Sequence, residues 1–235
     1  MVMSTLHFKE QLPACNPVVD FQQGTDKLLL LDFTDANNSL TEEIIDDTRL
    51  FSRYIGRLLK EAGARYGIGG YNEHRTVYSR SSVFDAAEGE DEPRRLHLGI
   101  DIWGAAGSTV YTPLTGTVHS FAFNNHFGDY GATIILRHEL PGIVFHSLYG
   151  HLSLNDLDGL EEGQTKTAGT VLAHFGEPQE NGHWPPHLHF QLIFDMEGNK
   201  GDYPGVCRYS EREKYLSNCP DPDLVLGMMQ YAKGS

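Results

Sequence analysis

Three cysteines in 235 residues are too few and too widely spaced for a disulfide framework or a paired-cysteine metal site. Cys15, Cys207 and Cys219 read as free thiols, which suits a reducing compartment. Basic residues are also scarce: 18 Lys and Arg face 32 Asp and Glu, for a net charge of −14. That balance argues against nucleic acid as a partner, and against docking on an anionic membrane or an acidic wall polymer. No apolar run reaches the length of a membrane span. The glycines at 67, 69 and 70 fit neither GxGxxG nor a phosphate loop. The first ten residues carry no basic stretch followed by an apolar one. The expectation is a cytoplasmic protein, or a periplasmic or secreted one if a signal has been removed.

What is present is enough for a real core: 40% apolar and 11% aromatic residues. Residues 1–26 show no regular pattern. Residues 28–33 read as a short buried strand. Ser39 with Glu42 has the form of a capping box. The helix it predicts puts Ile44, Phe51, Ile55, Leu58 and Leu59 on one face and ends at Gly63. The run Glu73, His74, Arg75, Tyr78 and Arg80 is either a binding wall or an exposed hairpin, and residues 85–91 read as an acidic surface loop. From 96 to 194 short strands alternate with Gly, Pro and Asn, at 110–111, 117–123, 133–137, 143–147 and 171–174. This spacing predicts a mainly β protein, α+β overall, whose core is an antiparallel sandwich or barrel-like sheet. The strand and helix before it form an N-terminal addition over 1–90, the core covers 91–200, and a tail with a short C-terminal helix covers 201–235.

Three short motifs carry the chemistry. In Trp184-Pro185-Pro186-His187-Leu188-His189-Phe190-Gln191-Leu192, the two prolines stop a helix from entering. As a strand, it puts His187, His189 and Gln191 on one face and Leu188, Phe190 and Leu192 on the other. Leu96-His97-Leu98-Gly99-Ile100-Asp101-Ile102 also alternates, with His97 and Asp101 on the same face. An imidazole and a carboxylate together suit zinc. On a flat strand the pair is about 13 Å apart, whereas two ligand atoms on one zinc lie within about 4.4 Å of each other. A bend is required, and Gly99 is where one is permitted. The third motif, Phe145-His146-Ser147-Leu148-Tyr149-Gly150-His151-Leu152-Ser153, holds a single His after a Gly.

In this order the motifs resemble the lysostaphin and LytM-type zinc metallopeptidases, over about residues 95–195. The framework Gly107-Ser108-Thr109-Val110-Tyr111-Thr112-Pro113 and Asp129-Tyr130-Gly131-Ala132-Thr133 is similar too. The resemblance implies Zn2+ held by His97, Asp101 and His189, with His151 and His187 catalytic. Tyr66-Gly67-Ile68-Gly69, Trp184-Pro185-Pro186-His187 and Gly201-Asp202-Tyr203-Pro204-Gly205-Val206 are similar to a peptidase-like module found beside class III aminotransferases in some bacterial proteins. Gln191 departs from the acidic residue usual in the family at that place. The expectation is a zinc-dependent hydrolase of a peptide or small amide. The alternatives are a metalloenzyme acting on a non-peptide small molecule and a non-catalytic metal-binding regulatory module. Arg75, Arg80 and Tyr149 are candidates to assist the substrate, and His183 is a rim residue.

Overall fold

The computed structural model describes residues 5–86 and 91–234. The acidic loop predicted at 85–91 therefore falls mostly outside the described residues. An open nine-stranded sheet dominates. In spatial order it runs β10 (Thr165–Lys166), β7 (Gly116–Asn124), β8 (Gly131–Leu140), β9 (Ile143–Leu152), β12 (His187–Ile193), β5 (Ile100–Trp103), β2 (Tyr66–Gly69), β1 (Leu28–Leu30) and β14 (Ala232–Lys233). Pairing is antiparallel from β10 to β2, and β1 pairs parallel with both β2 and β14. The mainly β expectation holds, but the sheet is mixed and does not close into a barrel. The parallel step has a local cause. Helices α2 (Glu42–Asp46) and α3 (Thr48–Ala62) lie between β1 and β2, and a helical crossover joins parallel neighbours.

The predicted helix is thus two. Thr41, not Ser39, caps the first, accepting from the Ile44 N–H at 3.4 Å. Asp47 breaks the run in an extended conformation and caps the second, accepting from Arg49 N–H at 2.7 Å and Leu50 N–H at 3.0 Å. Gly63 ends α3 in the left-handed region (φ 60°), as expected of a C-cap. Helix α1 (Thr5–Gln11) lies where no periodicity was visible. One side chain anchors it: the Phe8 ring centroid is 4.9 Å from that of Phe145. Helix α4 (Arg212–Asn218) and the short α5 (Asp223–Leu226) follow near the C-terminus.

Three cores hold the layers. Leu188, Phe190 and Leu192 of β12 join Ile100, Ile102, Ile134, Phe145 and Tyr149 on one face of the sheet. On the opposite face Leu96, Leu98, Ile135, Leu148 and Ile193 pack with Tyr203, Cys207 and Cys219 of the tail. The third core sets Phe51, Tyr54 and Ile55 of α3 against Phe33, Tyr78, Trp103 and Trp184. Burying a side chain such as Phe51 stabilises by about 1.5–3 kcal/mol.

Among the described residues, two small sheets accompany the large one. One pairs β6 (Thr109–Tyr111) with β11 (Val171–His174). The other sets β4 (Leu96–His97) between β3 (Glu73–His74) and β13 (Val206–Cys207). The run from 96 to 102 therefore belongs to two different sheets, and the chain turns at Leu98 and Gly99. Leu96 and Leu98 feed one core, and Ile100 and Ile102 feed another.

Candidate metal and catalytic centre

Register decides who meets whom. In the β12–β5 ladder His189 is the direct partner of Asp101, and His187 is the partner of Trp103. Direct partners in an antiparallel pair share a face, so His189 and Asp101 project side by side. The turn at Gly99 brings His97 back over the same spot. A Cβ on Gly99 would lie 2.5 Å from His189 Cε1, so the missing side chain makes room for the imidazole.

The three atoms that converge form a tight triangle. His97 Nε2 is 2.9 Å from His189 Nδ1 and 3.3 Å from Asp101 Oδ1, and His189 Nδ1 is 3.1 Å from Asp101 Oδ1. None of the three has a proton to offer. His97 donates its Nδ1–H to the Gly70 carbonyl at 2.9 Å, which leaves Nε2 bare. The Gln191 amide donates to the Pro204 carbonyl, which orients its oxygen toward His189. His189 donates Nε2–H to that oxygen at 2.9 Å, which leaves Nδ1 bare. Two imidazole lone pairs and a carboxylate oxygen face one another in a buried site, an arrangement that calls for a cation at its centre. The donor set fits zinc: ligands about 2.0–2.2 Å from a tetrahedral ion lie roughly 3.4 Å apart. Burial, together with the positive Arg75 nearby, pushes the His97 imidazole down to about 3, so it is neutral at pH 7. Burial opposes ionisation of Asp101, yet its imidazole and guanidinium neighbours hold the carboxyl well below the usual carboxylate range.

His151 and His187 stand beside this triangle, their ring centroids 4.1 Å apart. His187 lies flat on Trp103, centroids 3.9 Å apart at 14°. It donates Nδ1–H to the Pro185 carbonyl at 2.7 Å, and His151 donates Nδ1–H to the Asn181 carbonyl at 2.8 Å. Both Nε2 atoms therefore carry lone pairs. Burial pushes His187 down to about 4 and His151 well below the ordinary imidazole value, the second also because a charge on His151 would be disfavoured beside the neighbouring imidazoles. His151 sits in the left-handed region (φ 62°), held there by bonds from its N–H to the Tyr130 carbonyl at 2.8 Å and from Gly176 N–H to its own carbonyl at 2.9 Å.

A cavity of about 150 Å³ opens over the five residues, walled by Tyr78, Phe84, Tyr130, Trp184, Tyr203 and Gly205. The stretch from Glu73 to Phe84 is thus partly a wall of the site. Other expectations fall elsewhere. Tyr149 pairs with Phe190, so it points to the opposite face of the sheet, with its hydroxyl 3.1 Å from Ser147. Arg80 lies behind the wall, 4.7 Å from the Trp184 ring and 4.8 Å from the Phe127 ring. His183 is exposed, and its ring is 5.5 Å from Phe127. The carbonyls of Gly70, Asn181 and Pro185 were not legible, because any residue supplies a carbonyl and only the fold aims it.

Residues 95–201 match the model of peptidase family M23. The L-Ala–D-Glu endopeptidase of Bacillus subtilis (strain 168) is 32% identical over 149 residues, 60% of this chain and 43% of that protein. The chain thus spans under half of that relative's length. Among solved structures, a zinc-containing peptidase from Vibrio cholerae is 26% identical over 42% of this chain and 27% of its own, with a TM-score of 0.33. The catalytic domain of lysostaphin from Staphylococcus simulans is 17% identical over 70% of this chain and 96% of its own, with a TM-score of 0.39. Residues 95–201, which carry all five of these residues, thus match peptidase family M23, and the chain is similar in sequence to an endopeptidase.

Proposed function

We propose that the protein is a zinc-dependent hydrolase that cleaves an amide bond in a short peptide or a small peptide-like amide. One observation carries the reading: three unprotonated donor atoms converge beside two imidazoles whose free nitrogens are bare. His97, Asp101 and His189 would hold the metal. When bound, zinc supplies Lewis acidity and lowers the pKa of a water to about 7. The chain's own groups do the rest. With Nδ1–H committed to a carbonyl, His151 or His187 takes a proton from the attacking water at Nε2 and returns it to the leaving amine nitrogen. The proton taken from the water can pass between the two neighbouring rings, and the imidazole that holds it at Nε2 donates to the oxyanion before the proton reaches the leaving amine. Trp103 fixes the plane of His187 throughout. The aromatic walls exclude bulk water and strengthen these interactions.

Two features favour a small substrate. The tail segment around Pro204 and Gly205 walls one side of the cavity while Tyr78 and Phe84 wall another. The net charge of −14 repels acidic polymers. The test is to give zinc-replete protein a panel of short soluble peptides and, separately, insoluble cell-wall sacs. Turnover of soluble peptides is expected. Rapid clearing of sacs with no soluble turnover would overturn the substrate class. Equal, full zinc content in the wild type and in His189→Ala would overturn the metal site.

A further inference from the structure

Arg75 lies outside the region matched by the family, and the chemistry above makes no use of it. It is among the largest fully buried side chains, at 2% exposure. A buried guanidinium is costly unless its N–H groups are met. Here Nε donates to Glu73 Oε2 at 2.6 Å, Nη1 donates to Asp101 Oδ2 and lies 3.3 Å from the Tyr78 hydroxyl, and Nη2 donates to the Gly69 carbonyl at 3.3 Å. The Phe33 ring lies 5.2 Å from the guanidinium carbon. Four of its five N–H groups are thus directed at protein groups.

Its bond to Asp101 divides that carboxylate into two different oxygens. Oδ1 faces His97 and His189, while Oδ2 belongs to Arg75. We propose that Arg75 is a positioning residue that restricts Asp101 to metal ligation through one oxygen, so that a fourth position stays open for water or substrate. The inference rests on the zinc reading. Free carboxylates bind cations through one oxygen or both, and a second oxygen on the metal would occupy the position that a catalytic zinc site leaves open. A charged donor on Oδ2 competes directly with that second contact.

The surroundings are shaped around this guanidinium. A Cβ on Gly70 would fall 1.6 Å from Arg75 Nη2 and 2.9 Å from His97 Nδ1, and Gly70 has φ +107°. Glycine is the residue that lets one strand end meet both side chains. Glu73 anchors the other edge of the planar fork and sets its rotation. Lysine, a single ammonium without a fork, cannot hold Glu73 and Asp101 in the same geometry.

The probe is Co2+ alone, added to the metal-free full chain and followed by its visible absorption. Tetrahedral Co2+ absorbs strongly, and higher coordination weakens the bands. The wild type is expected to give the strong spectrum. Arg75→Met is expected to lose about half of the intensity or more at equal loading. Arg75→Lys keeps the buried positive charge and is expected to lose intensity as well. Circular dichroism of each metal-free protein verifies folding. If Arg75→Met does not fold, Arg75→Lys decides. A folded variant with the full wild-type spectrum would overturn this role while leaving the zinc reading intact. A wild type that takes up no cobalt would overturn both.

Discussion

Alanine at position 99 puts a methyl where the His189 ring lies. The new Cβ would sit 2.5 Å from Cε1, 2.7 Å from Nε2 and 2.9 Å from the Phe190 carbonyl oxygen, and ordinary contact begins at 3.4 Å. The ring must therefore retreat by about 0.9 Å, the difference between 3.4 and 2.5. It has little space to do so. Tyr130 stands 5.0 Å away centroid to centroid, and Gln191 holds Nε2 at 2.9 Å. The Phe190 carbonyl is part of a paired strand and yields less still. Gly99 is not in the left-handed region, so the cost is steric alone. Overpacking of this kind costs about 1–3 kcal/mol. A shift of nearly 1 Å is also a large fraction of a metal–nitrogen bond of about 2.0 Å. Zinc affinity is expected to fall by about 10- to 100-fold, the range seen when a ligand loses its orientation. Thermal melts of the metal-free protein and competition with a chelator measure the two effects separately. A Gly99→Ala protein that melts and binds zinc like the wild type would refute the reasoning.

Other outcomes follow from the same geometry. Gly56 lies on the exposed side of α3, and a methyl added there would meet nothing within 4 Å, so Gly56→Ala should stabilise by about 0.5–1 kcal/mol, read as a raised midpoint in urea. His151→Ala should retain zinc and lose about 10²- to 10⁴-fold in hydrolysis, and loss of zinc instead would make His151 a ligand. Burial pushes His138 down to about 4, against the opposing bond from its ring to the Thr115 carbonyl. The unfolded chain, with a His pKa near 6.5, then binds more protons between about pH 6.5 and 4. Stability from this group is fully present above pH 6.5 and is lost as pH falls to 4, on the order of 3 kcal/mol in all. His146, also pushed down to about 4 by burial, adds to the same slope. Denaturant melts between pH 8 and 4 measure it, and His138→Gln should flatten the slope; an unchanged slope would remove His138 from the account.

Much of the centre is legible in the order of residues. Strand alternation depends only on local backbone geometry, so His187, His189 and Gln191 had to share a face once the segment was extended. The bend at Gly99 was legible because a metal cannot reach across four residues of flat strand. The helix start was misplaced because Ser39 and Glu42 have the form of a capping box, whereas Thr41 and Asp47 supply the bonds that cap α2 and α3. Tyr149 was misplaced because its ladder partner was unknown. Being opposite Phe190 sends it away from the site.

By itself, the sequence determined which side chains could bind a metal, which faces were apolar, and where the chain had to turn. Those follow from chemistry and from local periodicity. Tertiary structure alone decided that His189 stands opposite Asp101 and His187 opposite Trp103, since register comes from the packing of whole strands. It also decided that α2 and α3 return the chain as a parallel neighbour of β1, making the sheet mixed. Most of all it decided the partners around the three convergent side chains. The Gly70 carbonyl on His97, the Gln191 amide on His189 and the Arg75 guanidinium on Asp101 come from segments 27, 2 and 26 positions away. Hydrogen bonds over the longer of these spans leave no local signature. They exist because a buried donor or charge must be met by whatever the fold brings near.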